Sequence, residues 1–114
     1  MAFAVVITPD AESQLRALTV REQRWVETAI QASLVHQPAI PTKAIKKLRQ
    51  NPCAAYELRV SDLRVLYNVE SNEVILILIG RKVGNRLLVQ GVEYYGHQDH
   101  RLEPPGEGRE GGPE

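Results

Sequence analysis

Apolar and polar positions follow a helical spacing in the first third of the chain and a period-two alternation through most of the remainder. The clearest run is residues 56–81, YELRVSDLRVLYNVESNEVILILIGR, which holds three strand signals separated by the short turns Ser61-Asp62 and Ser71-Asn72. Side chains alternate faces along a strand. On the first two strands Tyr56, Leu58, Val60, Leu63, Val65, Tyr67 and Val69 therefore share one face, and Ala55, Glu57, Arg59, Arg64, Leu66 and Asn68 share the other. Residues 74–79 are apolar on both sides, as in a strand at the centre of a sheet, and Gly80 ends them. Residues 81–86 then read as a basic Gly-Asn turn, and residues 87–92 as a last strand with a bulge at Gly91.

Upstream, residues 3–7 form a strand signal that stops at Thr8-Pro9. Thr8 suits an N-cap, Pro9 the first helical position, and Asp10 and Glu12 the positive end of the helix dipole. This short helix ends near Leu18. Thr19 and Glu22 then make a capping box for a second helix, whose apolar stripe is Val26, Ala29, Ile30, Ser33 and Leu34, with Trp25 beside it. That helix stops before Pro38, and Pro41 keeps the linker extended. Thr42 is placed to cap a further helical turn or two, KAIKKLRQ, ended by Asn51-Pro52. Ile45 and Leu48 would point inward, and Lys43, Lys46 and Lys47 would share a face. The expected fold is α+β: a two-helix hairpin packed on a twisted, mainly antiparallel sheet of four to five strands.

The polar face of the central strands contains a conflict. A two-residue loop at Ser61-Asp62 pairs Val60 with Leu63 and sets Arg59 directly opposite Arg64. Like charges in that arrangement destabilise a sheet. A bound anion such as a phosphate, gripped by two guanidinium forks, would offset the cost. The other explanation is that the arginines reach into solvent or pair with Glu57 and Asp62. With Ser71-Asn72 as the next loop, Arg64 falls across from Ile79, and Arg81 comes two residues later on the same face. Three arginines then crowd one end of the sheet. The lysines at 43, 46 and 47 read either as a solvated surface or as a patch contacting a nucleic-acid backbone.

Composition adds an asymmetry that the zero net charge hides. Residues 43–92 carry nine Lys/Arg against four acids, whereas the last twelve residues carry four glutamates and one arginine. A neutral average thus conceals a candidate polyanion-binding segment. Residues 98–114 are rich in Pro, Gly and Glu with almost nothing to bury, so a disordered tail is expected beyond a single domain at 1–97. Cys53 is the only cysteine, which excludes an intrachain disulfide and fits a reducing cytoplasm. The N-terminal apolar run is too short for a signal peptide or a membrane span. His97-x-x-His100 is a weak metal signal with no tightly spaced third ligand, so no metal or organic cofactor is expected.

The order strand, helix hairpin, antiparallel meander, together with KKLRQNP, the LR-x-x-x-x-R-V-x-Y core and VILILIGRKVGNRLLVQG, resembles the RelE/ParE superfamily of bacterial toxins over about residues 3–95. The resemblance implies a toxin of a type II toxin–antitoxin pair, bound by a cognate antitoxin that also represses the shared promoter. The toxin would then meet promoter DNA only through the antitoxin. RelE-like members cleave messenger RNA on the ribosome without a metal, and ParE-like members inhibit DNA gyrase without an active site. Carried over by residue, Arg64 matches the arginine that contacts the scissile phosphate, and Arg81 or Lys82 the basic residue that stabilises transition-state charge. Where the cleaving enzymes carry lysines on the second strand, this chain has Ala55 and Glu57. At the late tyrosine or histidine position it has about Leu88. Glu57 is then the candidate general base, with Tyr94, Tyr95 and His97 as alternatives. Arg59, Lys43, Lys46, Lys47 and Arg86 are the candidate RNA contacts. The reading is a metal-independent, ribosome-dependent endoribonuclease, with a ParE-like inhibitor of gyrase or another host protein as the alternative.

Overall fold

Thr8 and Thr19 set the start of both helices. In a computed structural model that describes residues 2–94, strand β1 (Ala4–Ile7) runs into α1 (Pro9–Arg16), where the Thr8 hydroxyl accepts from the Ala11 N–H. Helix α2 (Val20–Ser33) opens on the full Thr19/Glu22 capping box. The chain then lays down β2 (Ile45–Lys47), β3 (Tyr56–Val60), β4 (Leu63–Glu70), β5 (Glu73–Val83), β6 (Arg86–Val89) and β7 (Val92–Glu93). Strands β2 to β7 lie in chain order as one antiparallel meander, and β1 joins β5 in parallel. The sheet thus holds the five expected strands and two short additions, β2 and β7.

One of those additions replaces an expected helix. Residues 42–50 do not form the helical turns anticipated after Thr42. Instead the Thr42 hydroxyl accepts from the N–H groups of Ala44 and Ile45, both at 3.1 Å, and turns the chain into an edge strand. Pairing with the otherwise open edge of β3 satisfies a row of backbone groups that one isolated helical turn would leave to solvent. Ile45 and Leu48 are both buried, as expected, but in different cores. Lys46 and Lys47, as strand neighbours, point to opposite sides, so the three lysines share no face. At the other end, Gln90 and Gly91 both adopt positive φ (52° and 84°) and form the turn from β6 to β7, where a bulge at Gly91 was expected.

The main core lies between the helices and one sheet face. Ala11, Val26, Ile30 and Leu34 meet Ile45, Leu58, Val60, Leu63, Val65, Tyr67, Val74, Leu76 and Ile79. Tyr67 stacks on Tyr56 with ring centroids 5.5 Å apart and donates its buried hydroxyl to the Pro38 carbonyl at 2.6 Å, tying the linker to the sheet. The opposite face has a smaller core of Leu48, Ala54, Leu66 and Leu87, against which Leu78 and Tyr94 pack. No helix among the described residues covers it.

A β-bulge decides which side chains reach that second face. Between Leu66 and Tyr67 the β4–β5 register shifts by one, leaving Ile77 as the extra residue. Leu76 and Ile79, three apart, consequently both enter the helix-side core. The backbone there is served by the helical layer. Thr8 Oγ1 donates to the Leu76 carbonyl at 2.9 Å, and Gln14 Oε1 accepts from the Ile79 N–H at 2.7 Å. Strand β5 continues through Gly80, which the sequence pattern takes as its end. A Cβ at that position would stand 2.7 Å from the Leu88 carbonyl, closer than a side chain tolerates, so glycine lets β6 approach.

Candidate functional site

The helix-free face carries the cross-strand arginine pair. Arg59 stands opposite Arg64, as the two-residue loop at Ser61-Asp62 dictates. The repulsion is relieved in two ways. The Arg64 guanidinium turns back on its own hairpin, donating through Nη1 to the carbonyls of Ser61 (2.9 Å) and Leu63 (2.8 Å). Its Nε lies 4.0 Å from Oε1 of Glu57. Arg59 is left exposed. Burial pushes the Arg64 pKa down and the Arg59 charge acts in the same direction, opposed by Glu57 and Asp62. An arginine starts so high that Arg64 stays cationic at neutral pH.

Glu57 is the centre of this arrangement. At 4 % exposure it is the only buried charged side chain among the described residues. Burying a carboxylate is costly unless cations and hydrogen bonds compensate it. Its register partners are Leu66 on β4 and Lys46 on β2, so a lysine and two arginines lie within a residue pair or two of it. Beyond Arg64 the register continues to Gly80 and, two residues along the same face, to half-buried Lys82. Lys46, Arg59, Arg64 and Lys82 thus span four strands around one sunken carboxylate.

Arg81 is not part of it, which corrects the expectation of three arginines crowding one sheet face. The bulge at Ile77 turns the rest of β5 over, pairing Arg81 with Leu63 and aiming it at the helices. There it binds Asp62 Oδ2 and Glu22 Oε2, each at 2.8 Å, and so clamps the start of α2 to the β3–β4 turn. The hydrogen bond from Arg81 holds the Glu22 carboxyl below its ordinary value, and the two carboxylates in turn raise the Arg81 pKa. Of the two residues matched to the transition-state cation, Lys82 is the one beside Arg64. Arg86 is exposed on the far hairpin with Glu93 at 3.9 Å, and Lys43 is exposed ahead of β2. Leu88 pairs with Arg81, away from Glu57.

At the other end of the same face, a cleft of about 290 Å³ is lined by Leu48, Asn51, Cys53, Ala55 and Asn68 among others. Two asparagines shape it. Asn51 Oδ1 accepts from the N–H groups of Cys53 and Ala54, while Asn68 Oδ1 accepts from Ala55 and Asn68 Nδ2 donates to the Cys53 carbonyl. Tyr94 packs in behind this loop. Burial raises its pKa, and the adjacent Cys53 adds to the effect, so it is a neutral phenol at physiological pH. Tyr95, His97 and His100, the remaining base and metal candidates, lie outside the described residues, as does the segment 98–114. Among the described residues no three His, Cys, Asp or Glu side chains gather as a metal site, and no helix is long and apolar enough to cross a membrane. Sequence reasoning missed the placement of Lys46 beside Glu57. The shortness of the segment between Pro41 and Pro52 was the available signal against a helix, because one or two isolated turns are marginal in water.

The sequence matches no protein-family model and no curated protein. Solved structures do match. A chain of the toxin–antitoxin complex RelBE2 from Mycobacterium tuberculosis superposes with a TM-score of 0.62 at 20% identity, covering 72% of this chain and 100% of that one. A chain of the archaeal RelE–RelB complex from Pyrococcus horikoshii superposes with a TM-score of 0.55 at 18% identity, covering 75% of this chain and 99% of that one. This chain has the RelE fold. On that fold, the helix hairpin covers one sheet face and Glu57 with its cations occupies the other.

Proposed function

We propose that this protein is the toxin of a type II toxin–antitoxin pair and acts in the cytoplasm as a ribosome-dependent messenger-RNA endoribonuclease. Residues 1–97 are its toxin domain, residues 98–114 a separate tail, and its partners a cognate antitoxin, the ribosome and mRNA. It meets promoter DNA only through the antitoxin. The RelE fold supports this reading, and the observation that carries it is the buried Glu57 carboxylate beneath the cations of the helix-free face. Cleavage at a 2′-hydroxyl needs a base for that proton and positive charge for the phosphorane that forms as the 2′-oxygen attacks. Arg64 and Lys82 supply the charge, Arg59 and Lys46 hold the flanking backbone, and Glu57 is the candidate base.

At 4 % exposure Glu57 also suits a second role, fixing Arg64 in place. That burial, with Arg81 engaged on the helix side, favours the alternative of a non-enzymatic inhibitor that binds gyrase or another host protein. Programmed ribosomes separate the readings. The isolated protein is expected to cut mRNA in the A-site codon, Arg64→Ala to lower the rate by at least about a hundredfold, and Glu57→Gln to lower it comparably. An unchanged rate in Glu57→Gln removes the base role. Intact mRNA from a protein that still arrests growth replaces the nuclease with the inhibitor.

A further inference from the structure

The sheet face without a helix has an occupant available within the chain. We propose that the acidic C-terminal segment, residues 98–114, docks in cis across the Arg59–Arg64–Lys82 end of this face and competes there with polyanions. The inference rests on reading that face as a phosphate surface, and it adds a contact that would set how tightly RNA binds.

The first support is where the described chain leaves the sheet. Tyr94 packs into the small core of the helix-free face, and its N–H donates to the Leu87 carbonyl at 2.8 Å. Leu87 is the register partner of Lys82. The chain beyond Tyr94 therefore departs from the cationic face, about two strand spacings, or roughly 10 Å, from Lys82. Reach is ample: the residues after Tyr94 span up to roughly 70 Å when extended, against roughly 20 Å across strands β2 to β6.

The second support is charge. Residues 98–114 hold Asp99, Glu103, Glu107, Glu110 and Glu114 against Arg101 and Arg109. The face offers Lys46, Arg59, Arg64 and Lys82, and the carboxylate among them, Glu57, is buried beneath. Leu102 is the only aliphatic side chain larger than proline in the segment, so the contact is electrostatic, weak per pair and screened by salt. Tethering compensates for weak pairs, because the local concentration of the carboxylates is in the millimolar range.

The test uses the full-length chain with Glu103, Glu107, Glu110 and Glu114 all changed to Gln, and a single-stranded RNA oligonucleotide as probe. At low salt the variant is expected to bind about tenfold more tightly than the parent, with the difference vanishing at high salt. The amide resonances of Arg59 and Lys82 should shift on neutralisation without any RNA present. Equal affinities with unshifted resonances overturn the docking, and if Arg59→Gln still weakens binding the phosphate face survives. A gain that grows with protein concentration assigns the contact to a second copy and overturns the cis arrangement. If neither chain binds RNA at any salt, the phosphate-face reading fails and the competition fails with it.

Discussion

The two faces of one sheet follow different rules. On the helix side, thirteen buried apolar residues from both helices and four strands form one continuous core. On the other side Leu48, Ala54, Leu66 and Leu87 are the buried apolar residues among those described, and beside them the same strands present buried Glu57 with Arg59, Arg64 and Lys82. Strand alternation keeps these two sets apart. Stability can therefore be concentrated in one set and charge chemistry in the other, provided the register never slips by one residue.

The residue that sets the register is Ile77, and giving it a partner should have the largest effect. Inserting an alanine between Leu66 and Tyr67 would give Ile77 a partner and close the bulge, which turns Leu63, Val65 and Ile79 out of the helix-side core and Arg81 to the opposite face. Turning core residues outward and carrying Arg81 to the other face is expected to cost more than about 4 kcal/mol. Urea denaturation would register this as a collapsed or absent transition. A stable, cooperative fold in the insertion would mean that the bulge is not what holds the two faces apart.

Single substitutions at neighbouring positions of β3 sharpen the contrast. Leu58→Ala removes a fully buried side chain from the main core and should cost about 2–5 kcal/mol, with residual folded protein still binding RNA. Arg59→Gln, one residue on, exchanges an exposed side chain and should change stability by less than about 0.5 kcal/mol. It should nevertheless weaken RNA binding severalfold and reduce the salt dependence by about one phosphate contact. Denaturation and salt titration on the two variants would each move one variant and spare the other. Loss of stability in Arg59→Gln would place the arginine pair in the structural set.

The difference between the faces also explains what the sequence could reveal. Residues 56–70 alternate apolar and polar side chains, so their pairing, including Arg59 opposite Arg64, was legible from a single period-two pattern. The helix starts were equally legible, because Thr8, Pro9, Thr19 and Glu22 are local signals. Residues 74–79 are apolar on both sides and accept either register without exposing a polar group, so nothing local marks the bulge. The backbone groups it leaves over are satisfied by Thr8 and Gln14, more than sixty residues away. The site inherited that ambiguity: Arg59, Arg64 and Glu57 fell where the pattern put them, and Arg81 did not. Segment 42–50 failed for a related reason. Its helical spacing was a local reading, whereas the open edge of β3 is a tertiary demand.

The smallest expected effect belongs to the clamp made by the displaced arginine. Arg81 is more than a third exposed, so solvent screening limits its pairs with Glu22 and Asp62 to less than about 1 kcal/mol together. The pH dependence identifies this contribution even so. Glu22 has its pKa lowered from 4.5, first by the hydrogen bond from Arg81, so its contribution is present in full above that value. It is lost as pH falls through the lowered folded-state pKa, where the carboxyl takes up a proton and the clamp opens. Arg81→Met should therefore be less stable than the parent at neutral pH, and the two chains should converge on acidification below about 4.5. Cleavage by Arg81→Met should stay near the parent rate, because the side chain lies across the sheet from Glu57. A stability gap that persisted in acid would deny Glu22 its part in the clamp. A lost cleavage rate at unchanged stability would return Arg81 to the cationic face and, with it, the register that the bulge now forbids.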